Sequence, residues 1–267
     1  MTKKRKNGTK AGGKDVITGT YASTSSSSKF SSSPFDSFPL NLVSNTHWNF
    51  SKAKDTRIQE LVPGRVLVVP GFFTPKECQE WVSFCEGSGV GAFEYTAHPA
   101  TKFVAHRECY RMQQENATAL ARRIYERLQS FTVLPMVQRE MNSLYQIGAQ
   151  DNSYEPVGCN PNLRLYKYGK GHSFGKHVDG SNLVAGMGKT EWTILVYLTE
   201  CQGGATRFYS EHRKRKSPAS SVAFEPQVGA ILLHLHGDFC LEHEADAVLG
   251  GTKYVLRTDL VFATEEG

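Results

Sequence analysis

Nowhere in this 267-residue chain does an apolar run approach the roughly 20 residues that a bilayer-spanning helix needs. The basic opening at Lys3, Lys4, Arg5 and Lys6 has no hydrophobic segment behind it, so neither a secretory signal nor a membrane anchor is expected. Cysteine is sparse: Cys78, Cys85, Cys109, Cys159, Cys201 and Cys240 are dispersed and form no CxxC pair. That spacing argues against a zinc ribbon or a disulfide framework, and the six are read as reduced thiols of a cytosolic or nuclear protein. Internal repeats are absent as well. A uniform excess of positive charge is also missing, although the formal net charge is +5. Residues 1–54 hold nine of the 31 basic residues and two of the 26 acidic ones, which leaves 22 basic and 24 acidic residues for the rest. Any non-specific attraction to phosphate would therefore sit in the tail, and nucleic acid is not an expected partner of the domain.

What is present divides into two parts. Residues 1–55 are rich in Ser, Thr, Gly and Lys and cannot bury enough apolar surface to offset their ordering entropy, so they are read as a disordered basic tail. Residues 60–264 are read as one catalytic domain, with order expected from about Gly64. There Arg65–Val69 reads as a strand stopped by Pro70-Gly71. Thr74-Pro75-Lys76-Glu77 combines an N-cap hydroxyl, a first-turn proline and a Glu three residues after the cap, and Cys78, Trp81, Val82 and Cys85 follow at helical spacing. A second helix is expected from Asn116, with Leu120, Ile124, Tyr125 and Leu128 on one face. Beyond it the pattern turns to short apolar runs at 163–168, 192–198, 228–235 and 254–262, separated by Gly-containing turns. These predict strands of an antiparallel barrel or sandwich with the helices packed outside.

The chemistry concentrates in Tyr168-Gly169-Lys170-Gly171-His172-Ser173-Phe174-Gly175-Lys176-His177-Val178-Asp179. In an extended segment, residues i and i+2 share a face, so His177 and Asp179 can offer an imidazole and a carboxylate to one ion while Val178 turns into the core. A third ligand has to come from elsewhere, and His243 lies between two predicted strands. Two His and one carboxylate with open positions favour Fe(II) and oxygen chemistry over structural zinc. An HxD alone is a weak signal in a chain with nine histidines. The order of features strengthens it: HxD, the Gly203-Gly204 turn, a strand, a His, and Lys253 ten positions later. Lys253 and Arg257 share a face of the last strand at i and i+4, and either cation suits the far end of an iron-bound dicarboxylate.

The segments LRLYKYGKGHSFGKHVDG, TILVYLTECQGGATRFY, FEPQVGAILLHLHG and HEADAVLGGTKYVLRTDLVF together resemble the catalytic core of the 2-oxoglutarate- and Fe(II)-dependent dioxygenases, in particular the prolyl 4-hydroxylase-like branch. The resemblance implies a mainly β, α+β fold: a double-stranded β-helix, or jelly roll, with supporting N-terminal helices. It implies His177, Asp179 and His243 as iron ligands, Lys253 or Arg257 as the partner of the 2-oxoglutarate 5-carboxylate, and Tyr168 as a hydroxyl assisting co-substrate binding. Fe(II), 2-oxoglutarate and O2 are the implied cofactors, with ascorbate as an auxiliary reductant. The implied activity is hydroxylation of an unidentified substrate, with a prolyl or other side chain of a protein as the nearest analogy.

Rival readings are a catalytically silent jelly-roll binding module, a nucleic-acid demethylase on the same fold, and a zinc hydrolase using the same ligands. His234 and His236 stand just upstream of His243 and compete for its role, and Ala245 replaces a glycine that follows the His-Glu pair in many relatives. The run His212-Arg213-Lys214-Arg215-Lys216 reads either as a solvated loop or as a lid that recruits an acidic partner, and Arg107 and Arg111 as surface residues or substrate contacts.

Overall fold

The computed structural model describes residues 38–45, 53–87, 93–102, 104–148, 154–210 and 220–264. The remainder of the tail and the basic run at 212–216 lie outside the described residues. Order starts earlier than Gly64. Phe38 packs edge-on against Trp81 and Phe84, Leu42 and Val43 are buried, and the Arg123 guanidinium donates to the Leu40 carbonyl at 2.7 Å. The few apolar residues in this stretch suffice because they pack into the same core as Trp81, Leu120 and Ile124 of the helices. A strand, β1 (Gln59–Val62), also precedes the expected one.

Strand β2 (Val66–Val69) leads into helix α1 (Pro75–Glu86). The capping box is complete: Thr74 Oγ1 accepts from the Glu77 N–H at 3.2 Å, and Glu77 Oε2 accepts from the Thr74 N–H at 2.9 Å. A hairpin of β3 (Glu94–His98) and β4 (Arg107–Gln114) follows, then α2 (Thr118–Leu128). Helix α3 (Val133–Tyr145) was not expected from the sequence. Pro135 sits in its first turn, where the missing N–H costs nothing, and the N-cap residue Thr132 makes no side-chain capping bond.

The remaining chain is β: β5 (Pro156–Cys159), β6 (Leu163–Tyr168), β7 (Phe174–His177), β8 (Leu183–Val184), β9 (Gly188–Tyr197), β10 (Gln202–Gly203), β11 (Thr206–Tyr209), β12 (Ser221–Phe224), β13 (Ile231–Leu235), β14 (His243–Ala245), β15 (Val248–Gly250) and β16 (Lys253–Phe262). The main sheet runs β1-β2-β13-β9-β16-β6-β4-β7-β14-β11-β12, with every pairing antiparallel. It folds over so that β12 returns beside β1, which makes the nearly closed jelly roll that the strand pattern predicts.

The two faces of the central strands have different jobs. Trp192, Ile194 and Val196 of β9 and Leu256, Leu260 and Phe262 of β16 face the helices and share one core with Trp81, Ile124, Val137 and Met141. Thr193, Val255, Arg257 and Asp259 alternate with them and face the interior of the barrel. That interior face carries the site.

Candidate active site

Strand pairing brings the first two candidate ligands together. His243 opens β14 directly opposite His177, the last residue of β7, and Asp179 lies two residues further on. Ligand atoms of His177, Asp179 and His243 all fall within 4.8 Å of one another. Asp179 Oδ1 is 3.8 Å from His177 Nε2, and Oδ2 is 3.9 Å from His243 Nε2. Val178, expected to turn into the core, is instead 60% exposed. The interior face here is the site itself, so the residue between the two ligands points away from it into solvent.

Each imidazole is oriented by a backbone carbonyl. His177 Nδ1 donates to Gly175 O at 2.8 Å and His243 Nδ1 to Leu241 O at 2.9 Å, which leaves both Nε2 lone pairs free to ligate. Burial, reinforced by the neighbouring His243, pushes His177 down to about 4. Burial lowers His243 too, so both rings are neutral at neutral pH. For Asp179 burial acts to raise the carboxyl, but the Arg257 guanidinium at 3.0 Å outweighs it and holds the carboxyl well below the usual range. Its Oδ2 also accepts from Thr193 Oγ1 at 2.8 Å. Two neutral imidazoles and one ionised carboxylate, each held by a second contact, are a donor set that fits a divalent iron.

The competing histidines take different places. His236 Nε2 lies 2.6 Å from Thr193 Oγ1, and because that hydroxyl donates to Asp179, the imidazole donates to Thr193. It braces Asp179 from behind. His234 faces the site: its buried Nε2 is 3.6 Å from Asp179 Oδ2 and has no hydrogen-bond partner. Burial keeps the ring neutral, so this proximity is not an ion pair. His234, Cys240 and His243 form a second group of possible ligands. Cys240 approaches His243 through Nδ1, which is committed to Leu241, and burial pushes its thiol up to about 12. Cys240 therefore lies at the edge of the His243 ring that is already bonded, away from the free Nε2, and the group containing Asp179 is the better candidate metal centre.

A pocket extends from these residues along the interior face and is lined by Tyr166, Tyr168, Leu195, Thr206, Lys253 and Val255. Lys253 lies opposite Tyr168 in the β16/β6 ladder and is 2% exposed. Its Nζ donates to Gly204 O at 2.6 Å and stands 5.5 and 5.6 Å from the ring centres of Tyr168 and Tyr197. Among the described residues no carboxylate pairs with it, and burial lowers its pKa to about 8. Gly204 has φ of +69°, and a Cβ there would come within 3.1 Å of Val248 and 3.4 Å of the Lys253 stem. The expected Gly203-Gly204 turn thus lets the backbone approach the lysine. Arg257, on the same face, is engaged by Asp179 at 3.0 Å and Asp259 at 3.3 Å.

At the rim the Phe174 ring stacks on His177 at 3.8 Å, and the Arg107 guanidinium lies 3.9 Å from the other aromatic centre in that stack, Phe174. Thr193, Cys240 and Gly204 all support the site and carry no chemical signature in the sequence; only the Gly-Gly turn hints at one of them.

Residues 163–258 match the family model described as the 2OG-Fe(II) oxygenase superfamily. Curated protein sequences give no significant match. Among solved structures, a prolyl hydroxylase from Trichoplax adhaerens, in complex with a hypoxia inducible factor oxygen degradation domain peptide fragment, is 16% identical with a TM-score of 0.46, over 76% of this chain and 86% of that one. A Pseudomonas putida prolyl-4-hydroxylase is 14% identical with a TM-score of 0.44, over 80% and 98%. The viral collagen prolyl hydroxylase of Paramecium Bursaria Chlorella virus-1 is 14% identical with a TM-score of 0.41, over 75% and 97%. Likeness at that level carries nothing about substrate.

Proposed function

We propose that this chain is a 2-oxoglutarate-dependent dioxygenase, in line with the 2OG-Fe(II) oxygenase match over residues 163–258, and that His177, Asp179 and His243 hold its Fe(II) while Lys253 holds its co-substrate. The observation that carries this reading is the pairing of His177 with His243 across β7 and β14, each ring turned by a carbonyl so that Nε2 faces Asp179. Bound Fe(II) and 2-oxoglutarate supply the oxidising chemistry: one atom of O2 enters succinate as the co-substrate loses carbon dioxide, and the other hydroxylates the substrate.

The chain's own residues bind and orient. Lys253 is the anchor for the 5-carboxylate, because it is a buried cation without a carboxylate partner among the described residues, whereas Arg257 is already shared between Asp179 and Asp259. Arg257 and Thr193 keep Asp179 ionised and correctly turned, and Tyr168 packs beside the Lys253 ammonium. Burial by Tyr166, Leu195 and Val255 excludes water from the reacting centre. The catalytic domain comprises residues 60–264, ascorbate serves as the reductant that restores the metal, and the substrate is a side chain of a protein.

The test is succinate formation from 2-oxoglutarate in air with added Fe(II) and ascorbate. The wild type is expected to turn over slowly without its substrate, and His177→Ala and Asp179→Ala not at all. Equal turnover by a folded Asp179→Ala protein would refute the assignment.

A further inference from the structure

The interior face of the sheet carries more positive charge than the metal and co-substrate require. Arg107 and Arg111 of β4 have the same parity as Cys109, which packs with Tyr166 and Tyr168 of the pocket wall. Arg164 of β6 stands directly opposite Arg257 of β16 and so shares its face. Arg111 stands opposite Tyr166 in the next row.

Arg257 is neutralised by Asp179 and Asp259. The other three are not. The Nε of Arg107, Arg111 and Arg164 is in each case buried without a hydrogen-bond partner. Among the described residues no carboxylate forms an ion pair with any of them. Glu94 lies across the β3/β4 ladder from Arg111 but makes no ion pair with it, and Glu108 accepts from the Tyr95 hydroxyl at 2.6 Å on the other face of β4. None of the three arginines is fully buried, so their outer nitrogens remain within reach of a ligand. Partly buried guanidinium charge without a carboxylate is costly, and an anion arriving at the outer nitrogens would compensate it.

We propose that Arg107, Arg111 and Arg164 form the substrate cleft of this enzyme and receive an acidic polypeptide segment, which carries the residue to be hydroxylated into the pocket. That these residues serve the primary substrate rests on the dioxygenase reading above. Arg107 and Arg111 are four residues apart on a strand, about 13 Å, a span that a single carboxylate or a small dicarboxylate cannot bridge. The ligand must therefore carry several anionic groups in a row. A nucleic acid would also do so, but the chain beyond residue 54 has 22 basic and 24 acidic residues, and such a domain lacks the extended basic field along which a phosphate backbone runs. A recessed set of guanidinium forks suits carboxylates presented one by one.

The experiment uses the full chain loaded with Mn(II) and 2-oxoglutarate without oxygen. Fluorescein-labelled peptides of alternating Glu and Gly, and of alternating Gln and Gly, are titrated by polarisation, alongside a ten-nucleotide oligothymidylate. The acidic peptide is expected to bind at least tenfold more tightly than the neutral one and than the oligonucleotide. Arg111→Gln with Arg164→Gln should lose at least tenfold for the acidic peptide while keeping Mn(II) and co-substrate affinity. Lys76→Gln with Arg122→Gln removes the same charge from exposed positions and should change binding less than twofold. On the wild type, the acidic peptide should shield Arg111 and Arg164 from phenylglyoxal, read by mass spectrometry, which tests the idea even if the inner double variant does not fold. Equal binding of the acidic and neutral peptides, equal losses in both double variants, absence of shielding, or tighter binding of the oligonucleotide would each overturn the proposal. Acidic-peptide binding by a protein that takes up neither metal nor co-substrate would leave the cleft standing and defeat the dioxygenase reading instead.

Discussion

Lys253 and Arg257 are both cations on one face of β16, yet their surroundings give them opposite titration behaviour. Burial lowers Lys253 to about 8, so its charged form is complete below that pH and is lost as pH rises through it. Arg257, paired with two carboxylates, stays charged throughout. If Lys253 anchors the co-substrate, the dissociation constant for 2-oxoglutarate measured calorimetrically with Mn(II) should rise above pH 8, approaching about tenfold per unit. Lys253→Arg should flatten that rise. A flat profile in the wild type would transfer the role to Arg257. His234 offers a second test at this scale. Its unpartnered Nε2 faces Asp179, so His234→Phe should keep the fold and lower Co(II) affinity by on the order of tenfold, read from the visible absorption of the bound ion. Unchanged affinity would reduce His234 to a core residue.

Among the elements, the helical layer depends on one buried ion pair. Arg127 of α2 forms two bonds to Glu77 of α1, at 2.7 and 3.0 Å, and also donates to the carbonyls of Phe72 and Ser44. Arg127→Ala leaves the Glu77 carboxylate uncompensated inside the protein, and should cost about 3–5 kcal/mol in urea unfolding. Burial raises Glu77, yet its bond to Arg127 brings it below the ordinary carboxylate value, so this support is present above that value and lost as pH falls through the lowered one. Which elements were legible in sequence follows from their physics. Strand β6 matches its predicted limits because alternating apolar residues end in a Gly turn, and α1 is announced by its capping box. Helix α3 has no capping box, its N-cap Thr132 making no side-chain bond, and carries a proline in its first turn, and β1 is four residues, half of them polar, whose pairing with β2 comes from tertiary contact. Similarly, the gathering of His177, Asp179 and His243 at one point was legible from residue type, spacing and family resemblance, whereas Thr193 and Cys240 reach Asp179 from 14 and 61 positions away within ordinary strand and loop sequence. The outward turn of Val178 was unreadable because parity alone does not say which face is the interior.

At the scale of the whole molecule, the candidate ligands gather on β7, the segment just after it and the adjacent β14. β7 and β14 lie beyond β4 in the sheet order, while Thr193, Arg257 and His234, which hold or face Asp179, stand on β9, β16 and β13 before it. An ion held by all three ligands would pin β7 to β14, and Asp179, bonded to Thr193 and Arg257, would tie that pair to β9 and β16. Mass action then stabilises the loaded protein by about 2.7 kcal/mol when free metal is a hundred times its dissociation constant. The benefit should be local, because β14 is only three residues long and meets β7 through an irregular register. Amide exchange in β7 and β14 should slow on adding Mn(II), while β9 and β16, sealed in the main core, should not respond. A metal bound there would accordingly do more than chemistry: without it the three-residue β14 is left to an irregular pairing with β7, so metal-free protein should be the form that a protease cuts first at this edge.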